Sequence, residues 1–284
     1  MIPPVANRFV AGESGQDALE HVDALNDRSI AGTINRLGTN HDGMETVDTV
    51  TAAYQSILVA TDDRDLEASV SVKPSQLGLA IDRRTFETRL EAIVDTATDC
   101  DGFVWLDMEA HDSTDVTIEA FETLAPAYPA RIGLCLQANL RRTRADLARV
   151  ADLPGAIRLV KGGAYAEPEA VAYMDRSKMD ERYRSLIERA FDTVSGEIAI
   201  ATHDETIIDH ARALEDEHDR SFEVQMLMGV RTNFLSRLAA ERSVAQYVPY
   251  GQTWKKWALN RVRENPRSLE VLLPNSVHAL RARS

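Results

Sequence analysis

Close to one end of this 284-residue chain, the stretch YVPYGQTWKKWALNRVREN (Tyr247 to Asn265) sets three chemically different side chains in register. As a helix from Thr253 onward it places Trp257, Arg261 and Glu264 at i, i+4 and i+7, one stripe of ring, cation and carboxylate. Trp254 falls on the same side, and solvated faces seldom carry two tryptophans. A guanidinium for a carboxylate, a carboxylate for an ammonium and a ring for hydrocarbon together meet the needs of a small zwitterion such as an amino acid. The competing reading is a surface ion pair, worth less than about 1 kcal/mol.

Other reactive groups close apolar runs. Arg158 stands in the middle of AIRLVKG, where an uncompensated charge is costly to bury. It either pairs inside the fold with Asp107 or Glu109, or faces an electron-rich cofactor and stabilises the charge that develops on reduction. Lys73 ends VSVK just before a proline, as a salt-bridge partner or as the holder of an anionic substrate group. Asp107 and Glu109, two residues apart, face one side of their strand. They fit a carboxylate pair for proton transfer or amine binding, and equally a structural network.

Several chemistries find no support. The seven histidines are scattered and form no H-E-x-x-H, so no metal is expected. There is no G-x-S-x-G. VKGGAY allows a close backbone approach but lacks the Lys-Ser/Thr of a phosphate loop. With 45 acidic against 32 basic residues and a net charge of -13, the chain lacks the clustered cations that nucleic acid requires. Lysine occurs only at 73, 161, 178, 255 and 256. Such an acidic, Lys-poor surface fits a halophilic protein kept soluble by self-repulsion. Cys100 and Cys135 read as reduced core residues, and no apolar run is long enough to span a bilayer. With no secretory signal visible, a cytoplasmic location is expected, with a peripheral one at the inner face of the membrane as the alternative.

The elements that must position these groups alternate. β-rich segments read at Ser29–Leu37, Glu67–Pro74, Phe103–Glu109, Arg131–Gln137, Ala156–Gly162, Ile198–His203, Ser221–Leu227 and Val244–Gly251. Helical stretches lie between them, among them METVDTVTAAYQSILVA, DRRTFETRLEAIVDTAT, TRADLARVAD, DERYRSLIERAFDTVS, ETIIDHARALEDE and TNFLSRLAAERS. Eight strands each followed by a helix predict an α/β fold, a (β/α)8 barrel. A doubly wound sheet is disfavoured because no G-x-G-x-x-G occurs. Residues 1–28 form an N-terminal extension whose helix is placed to cap the barrel bottom, and 29–284 the catalytic domain. The strands begin apolar and end in Asn35, Lys73, Asp107 with Glu109, Gln137, Lys161, Thr202 with His203, Gln225 and Tyr247, at the face where such barrels build active sites.

In order along the chain, RFVAGES, SVKPSQLG, LDME, LQANLRRT, IRLVKGGAY, ATHDETI, FEVQMLMG and YVPYG, with the helix ending NRVREN, resemble the flavin-dependent proline dehydrogenase family, monofunctional type. The resemblance implies a distorted (β/α)8 barrel binding FAD at its C-terminal face, with the last helix over the mouth. It implies hydride transfer from L-proline to flavin N5, giving 1-pyrroline-5-carboxylate, the first step of proline catabolism. By position, Asp107 and Arg158 would be the catalytic residues. Lys73, Leu227, Tyr247, Trp257, Asn260, Arg261 and Glu264 would bind substrate. Met108, Gln137, Lys161, Gly162, Gly163, Ala164, Thr202, His203 and Gln225 would hold the cofactor. The resemblance further implies that electrons pass to a quinone or another acceptor, at the membrane surface where the acceptor is a membrane quinone.

Three positions depart from the family pattern. Asn260 replaces the first of two adjacent arginines, Trp257 replaces a tyrosine, and KGGAY carries an additional glycine that shifts the loop by one residue. A related cyclic amine such as hydroxyproline is therefore an alternative substrate, and a non-catalytic proline- or flavin-binding barrel is a third reading. Oligomeric state is left open.

Overall fold

A computed structural model describes residues 2, 4–255 and 257–259. The expected site residues Asn260, Arg261 and Glu264 lie outside the described residues. The strands are β1 (Ala31–Arg36), β2 (Ala68–Val72), β3 (Val104–Leu106), β4 (Ile132–Gln137), β5 (Ala156–Val160), β6 (Ile198–Ala201), β7 (Glu223–Leu227) and β8 (Val244–Tyr250). All pair in parallel and in sequence order, and β8 returns to β1 from Ala31↔Ala245 through Arg36↔Tyr250, closing the barrel. The expected (β/α)8 architecture is the one observed.

Helices α1 (Pro4–Asn7) and α2 (Gly15–Asn26) precede the barrel. The crossovers carry α3 (Met44–Asp63), α4 (Arg83–Asp99), α5 (Thr114–Ala127), α6 (Thr143–Val150), α7 (Arg176–Thr193), α8 (Glu205–His218) and α9 (Thr232–Leu238). Starts are fixed locally. The Ser14 hydroxyl accepts from Asp17 N–H while Asp17 accepts from Ser14 N–H, and Asp82, Asp175 and Asp204 cap α4, α7 and α8 in the same manner.

Alternation sorts the strand residues. Ile34, Val70, Val72, Val104, Leu106, Ile132, Leu134, Ile157 and Leu159 face the helices and are fully or nearly fully buried in the main core. The inward face is mostly small: Thr33, Ser69, Ser71, Gly133, Cys135, Ala156, Ala199 and Ala245. Barrels of this class normally fill their interior with branched side chains. Here Trp105 and Phe103 do so, in a separate cluster with Ala156 and Ala199. A Cβ on Gly133 would stand 2.5 Å from the Trp105 ring, so only glycine admits the indole there. Below Trp105 the strand N-terminal ends enclose a cavity of about 940 Å³, lined also by Glu67, Glu197 and Glu223.

That cavity corrects one expectation. Helix α2 does not cap the barrel bottom. It packs on the outside against β1, β8 and α3, with Val22 pressed onto Gly32 of β1 and His21 hydrogen-bonded to Gln246 of β8 at 2.7 Å. Its apolar face, Ala18, Leu19, Val22 and Leu25, demands the side of the sheet rather than its polar rim. The third strand is also shorter than expected. Past Leu106, the carbonyls of Met108 and Glu109 accept hydrogen bonds from the Gln137 side-chain amide, at 3.1 and 2.7 Å, instead of from a neighbouring strand.

Candidate active site

At the C-terminal end of the barrel the inward positions of β2, β3, β5 and β8 converge on one carboxylate. Asp107 forms ion pairs with Lys73 through Oδ2 and with Arg158 through Oδ1. Its Oδ1 also accepts from the Ser71 hydroxyl at 2.9 Å and its Oδ2 from the Tyr247 hydroxyl at 3.0 Å. The Lys73 ammonium donates in turn to Tyr247 at 3.0 Å. Arg158 reaches across the barrel to Ser71 and, at 3.1 Å, to Gln225 Oε1, while Gln225 donates to Glu223 at 2.7 Å. The guanidinium lies 4.8 Å from the centroid of Trp105, which supports it from below. One polar chain thus runs from the bottom cavity to the mouth.

Electrostatics fix the charge states. Burial works to raise the Asp107 carboxyl, yet Lys73 and Arg158 together hold it below the usual carboxylate range. Burial likewise works to lower Lys73, but Asp107 and the tyrosines around it raise it well above the ordinary lysine value. The Tyr247 phenol is pushed up, first by burial and then by Asp107. Lys73 is therefore an ammonium and Asp107 a carboxylate across the neutral range. They bind and orient; neither is poised to exchange a proton.

Glu109 does not join Asp107 as a second acid. Its carboxylate is held by the Ser75 N–H and hydroxyl, both at 2.8 Å, and by the Tyr165 hydroxyl at 3.1 Å. Of the two readings of that pair, the structural network is the one the side chains make. The pairing of Arg158 with Asp107 is also present, and it leaves the guanidinium beneath the barrel mouth.

Trp257 closes one side. Its ring stacks on Tyr247 with centroids 6.2 Å apart and planes inclined by 24°. Its indole N–H donates to the Phe9 carbonyl at 3.1 Å. Trp254 donates to Glu13 at 3.3 Å, and both tryptophans pack on a small cluster of Ile2, Ala6, Phe9, Val10 and Ala258. The N-terminal segment is therefore the support on which the two tryptophans rest. Sequence reading missed this role, because nothing in RFVAGES states which distant helix it will meet. The placement of Trp105 was missed as well, although a tryptophan at an inward strand position followed by Gly133 on the next strand is a legible signal.

The other expected residues gather around the opening between β4 and β7. Gln137 closes β4; Lys161, Gly162, Gly163 and Ala164 follow β5; Thr202 and His203 follow β6; Gln225 and Leu227 belong to β7; Met108 follows β3. Lys161 pairs with Asp180, and His203 Nε2 accepts from the Leu227 N–H at 2.9 Å. Gly162 and Gly163 have φ of 83° and 86°, the left-handed region that favours glycine. A Cβ on Gly162 would lie 1.8 Å from Asn139 Oδ1, whereas one on Gly163 would meet nothing within 4 Å. That Asn139 oxygen is buried and has no hydrogen-bond partner among the described residues. Bare backbone, an unused acceptor and a nearby ammonium fit a flat, phosphate-bearing cofactor such as FAD.

Comparison with known proteins agrees with this geometry. The profile of the proline dehydrogenase family matches residues 18–266. The chain belongs to the proline dehydrogenase family. Proline dehydrogenase of Deinococcus radiodurans is 36% identical over 272 residues, 93% of this chain and 87% of that protein. Proline dehydrogenase 1 of Bacillus subtilis strain 168 is 32% identical over 273 residues, 94% and 89% of the two chains. Among solved structures, proline utilization A from Bdellovibrio bacteriovorus, inactivated by N-propargylglycine, superposes with a TM-score of 0.84. It shares 18% identity, and the match covers 92% of this chain and 32% of that one, which supports the fold. Members of the proline dehydrogenase family are flavin-dependent enzymes, so family and relatives imply this activity for the chain.

Proposed function

We propose that the chain oxidises L-proline to 1-pyrroline-5-carboxylate with FAD as its cofactor. The observation that carries this reading is the Asp107-centred network, in which Lys73, Arg158 and Tyr247 meet at the mouth beside the bare backbone of Gly162 and Gly163. Gln137, Lys161, Gly162, Gly163, Thr202 and His203 would hold the cofactor, with Met108, Ala164 and Gln225 bordering it. Bound FAD supplies the acceptor for the hydride that leaves the ring carbon next to nitrogen.

The chain's own residues supply the rest. Lys73, fixed as an ammonium, attracts the substrate carboxylate, and Arg261, which lies outside the described residues, shares that grip in the reading that the family resemblance implies. Tyr247, Leu227 and the Trp257 ring wall off the pyrrolidine from water, which strengthens each charge interaction inside. Arg158, immobilised by Asp107, Gln225 and Trp105, is a preorganised cation for negative charge that develops on reduction. Glu264, also outside the described residues, is assigned to an ion-pair gate by the family resemblance alone. Electrons then leave to a quinone or comparable acceptor.

The test is optical. The purified, FAD-loaded chain is yellow, and anaerobic L-proline bleaches it with release of the cyclic imine. Steady-state rates with proline and hydroxyproline decide between the two amines. A preparation that binds proline and keeps its colour is the non-catalytic barrel, and the proposal falls.

A further inference from the structure

Three arginines surround a rim cavity of about 330 Å³ away from the Asp107 network, lined by Arg8, Arg231, Thr232, Asn233, Phe234 and Arg237. In a chain with net charge -13, a hollow whose described lining residues include three arginines and, among those described residues, no carboxylate runs against the composition. Two of the guanidiniums are stacked on one ring, with Arg231 4.5 Å and Arg237 5.5 Å from the Phe234 centroid. Both cations are held against a single apolar plate, which limits their freedom.

The three differ in what already holds them. Arg231 donates to the His203 carbonyl at 2.7 Å and pairs with Glu205 outside the cavity lining. Arg8 donates through Nε to the Gly229 carbonyl at 3.0 Å. Arg237 makes ring contact and pairs with no carboxylate among the described residues. Thr232 and Asn233 add neutral hydrogen-bonding groups between the cations. Arg237 carries a charge that no carboxylate among the described residues offsets, and an anion with several oxygens meets it while reaching the neutral donors beside it.

We propose that this cavity is a binding site for a phosphate group, with Arg237 as its principal open cation and Arg8 and Arg231 as its flanks. The phosphate comes from a free phosphate compound or from the headgroup of an acidic phospholipid. The inference stands apart from the proline chemistry, because none of its lining residues touches Asp107, Lys73 or Tyr247.

The experiment uses the FAD-loaded chain, so that the cofactor's own phosphates are already in place. Inorganic pyrophosphate is titrated by calorimetry at the lowest salt at which the protein stays folded. Saturable one-to-one binding is expected, weakening as salt rises. Arg237→Glu lowers the affinity at least about tenfold, the scale of one charge-assisted hydrogen bond, with its melting temperature and proline turnover unchanged. Co-sedimentation with phosphatidylglycerol-containing vesicles, against pure phosphatidylcholine, assigns the source. Binding that Arg237→Glu abolishes and pyrophosphate displaces marks the headgroup, and pyrophosphate binding without sedimentation marks a free compound. No saturable binding to the loaded chain, or equal binding by wild type and Arg237→Glu, overturns the proposal. Arg237→Gln serves as a second variant should the charge reversal fail to fold.

Discussion

Replacing Asp107 by Asn tests the centre of the site directly. The change keeps the shape of the side chain and removes the one negative charge that faces both Lys73 and Arg158. Those two side chains are 14% and 3% exposed, so water cannot take over as counterion. An asparagine oxygen can accept from one cation, but its amide then points two N–H groups at the other or at Tyr247. Removing one partner of a buried ion pair costs about 3–5 kcal/mol. At about 2–4 °C per kcal/mol for a protein of this size, the melting temperature falls by roughly 6–20 °C. Differential scanning calorimetry of wild type and Asp107→Asn at neutral pH measures it. The double variant Asp107→Asn with Arg158→Met is the control. With the guanidinium also gone, at least about 1 kcal/mol returns as a coupling energy. A melting shift under about 2 °C, or strictly additive losses, would refute the claim that Asp107 neutralises two buried cations.

The same ion pairs set a pH dependence. The folded-state pKa of Asp107 is lowered, so its stabilisation is complete above the ordinary carboxylate value of about 4 and fades as pH falls through the lowered value. Denaturant midpoints of wild type and Asp107→Asn should therefore converge on the acid side and stay apart at neutrality. Lys73 has a raised pKa, so its contribution is present below the ordinary lysine value and is lost only as pH rises through the folded one. Gly162→Ala drives a methyl into Asn139 at a positive φ. It should lower the flavin absorbance recovered per mole of protein, which a gel-filtered spectrum reads. Trp257→Ala removes the stack on Tyr247 and the hydrogen bond to Phe9. Steady-state kinetics should give a proline KM raised at least about fivefold with flavin still bound, the aromatic contact alone being worth about 1 kcal/mol.

Much of the barrel was legible because each strand changes character along its length. AIRLVKG and FVWLDME are apolar where helices cover them and polar where the strand reaches the mouth. That gradient puts Lys73, Asp107, Gln137 and Tyr247 on one face, and Arg158 stands out separately as a charge in the middle of an apolar strand. Helix α5 was not singled out: DVTIEAFETLAPA carries Pro126 in its last turn and begins from a 3-10 turn, which blurs its periodicity. The fate of Glu109 was not legible either. Two-residue alternation put it beside Asp107, but the strand ends at Leu106, and beyond that point Ser75 and Tyr165 decide where the carboxylate goes. The capping role assigned to α2 failed for a related reason. An apolar stripe declares that a helix must be covered, and says nothing about whether the flank or the floor of the barrel covers it. Of the three departures from the family pattern, Asn260 falls outside the described residues, so its weight rests on kinetics.

Above the cavity between the strand N-terminal ends, the barrel is plugged among the described residues by the Trp105 indole, with Phe103 at its edge and the Arg158 guanidinium laid over it. Bulk solvent can stand directly beneath that plug while chemistry proceeds above it. A small side chain at position 105 would extend that space up to the Arg158 guanidinium and let water reach the underside of its pair with Asp107.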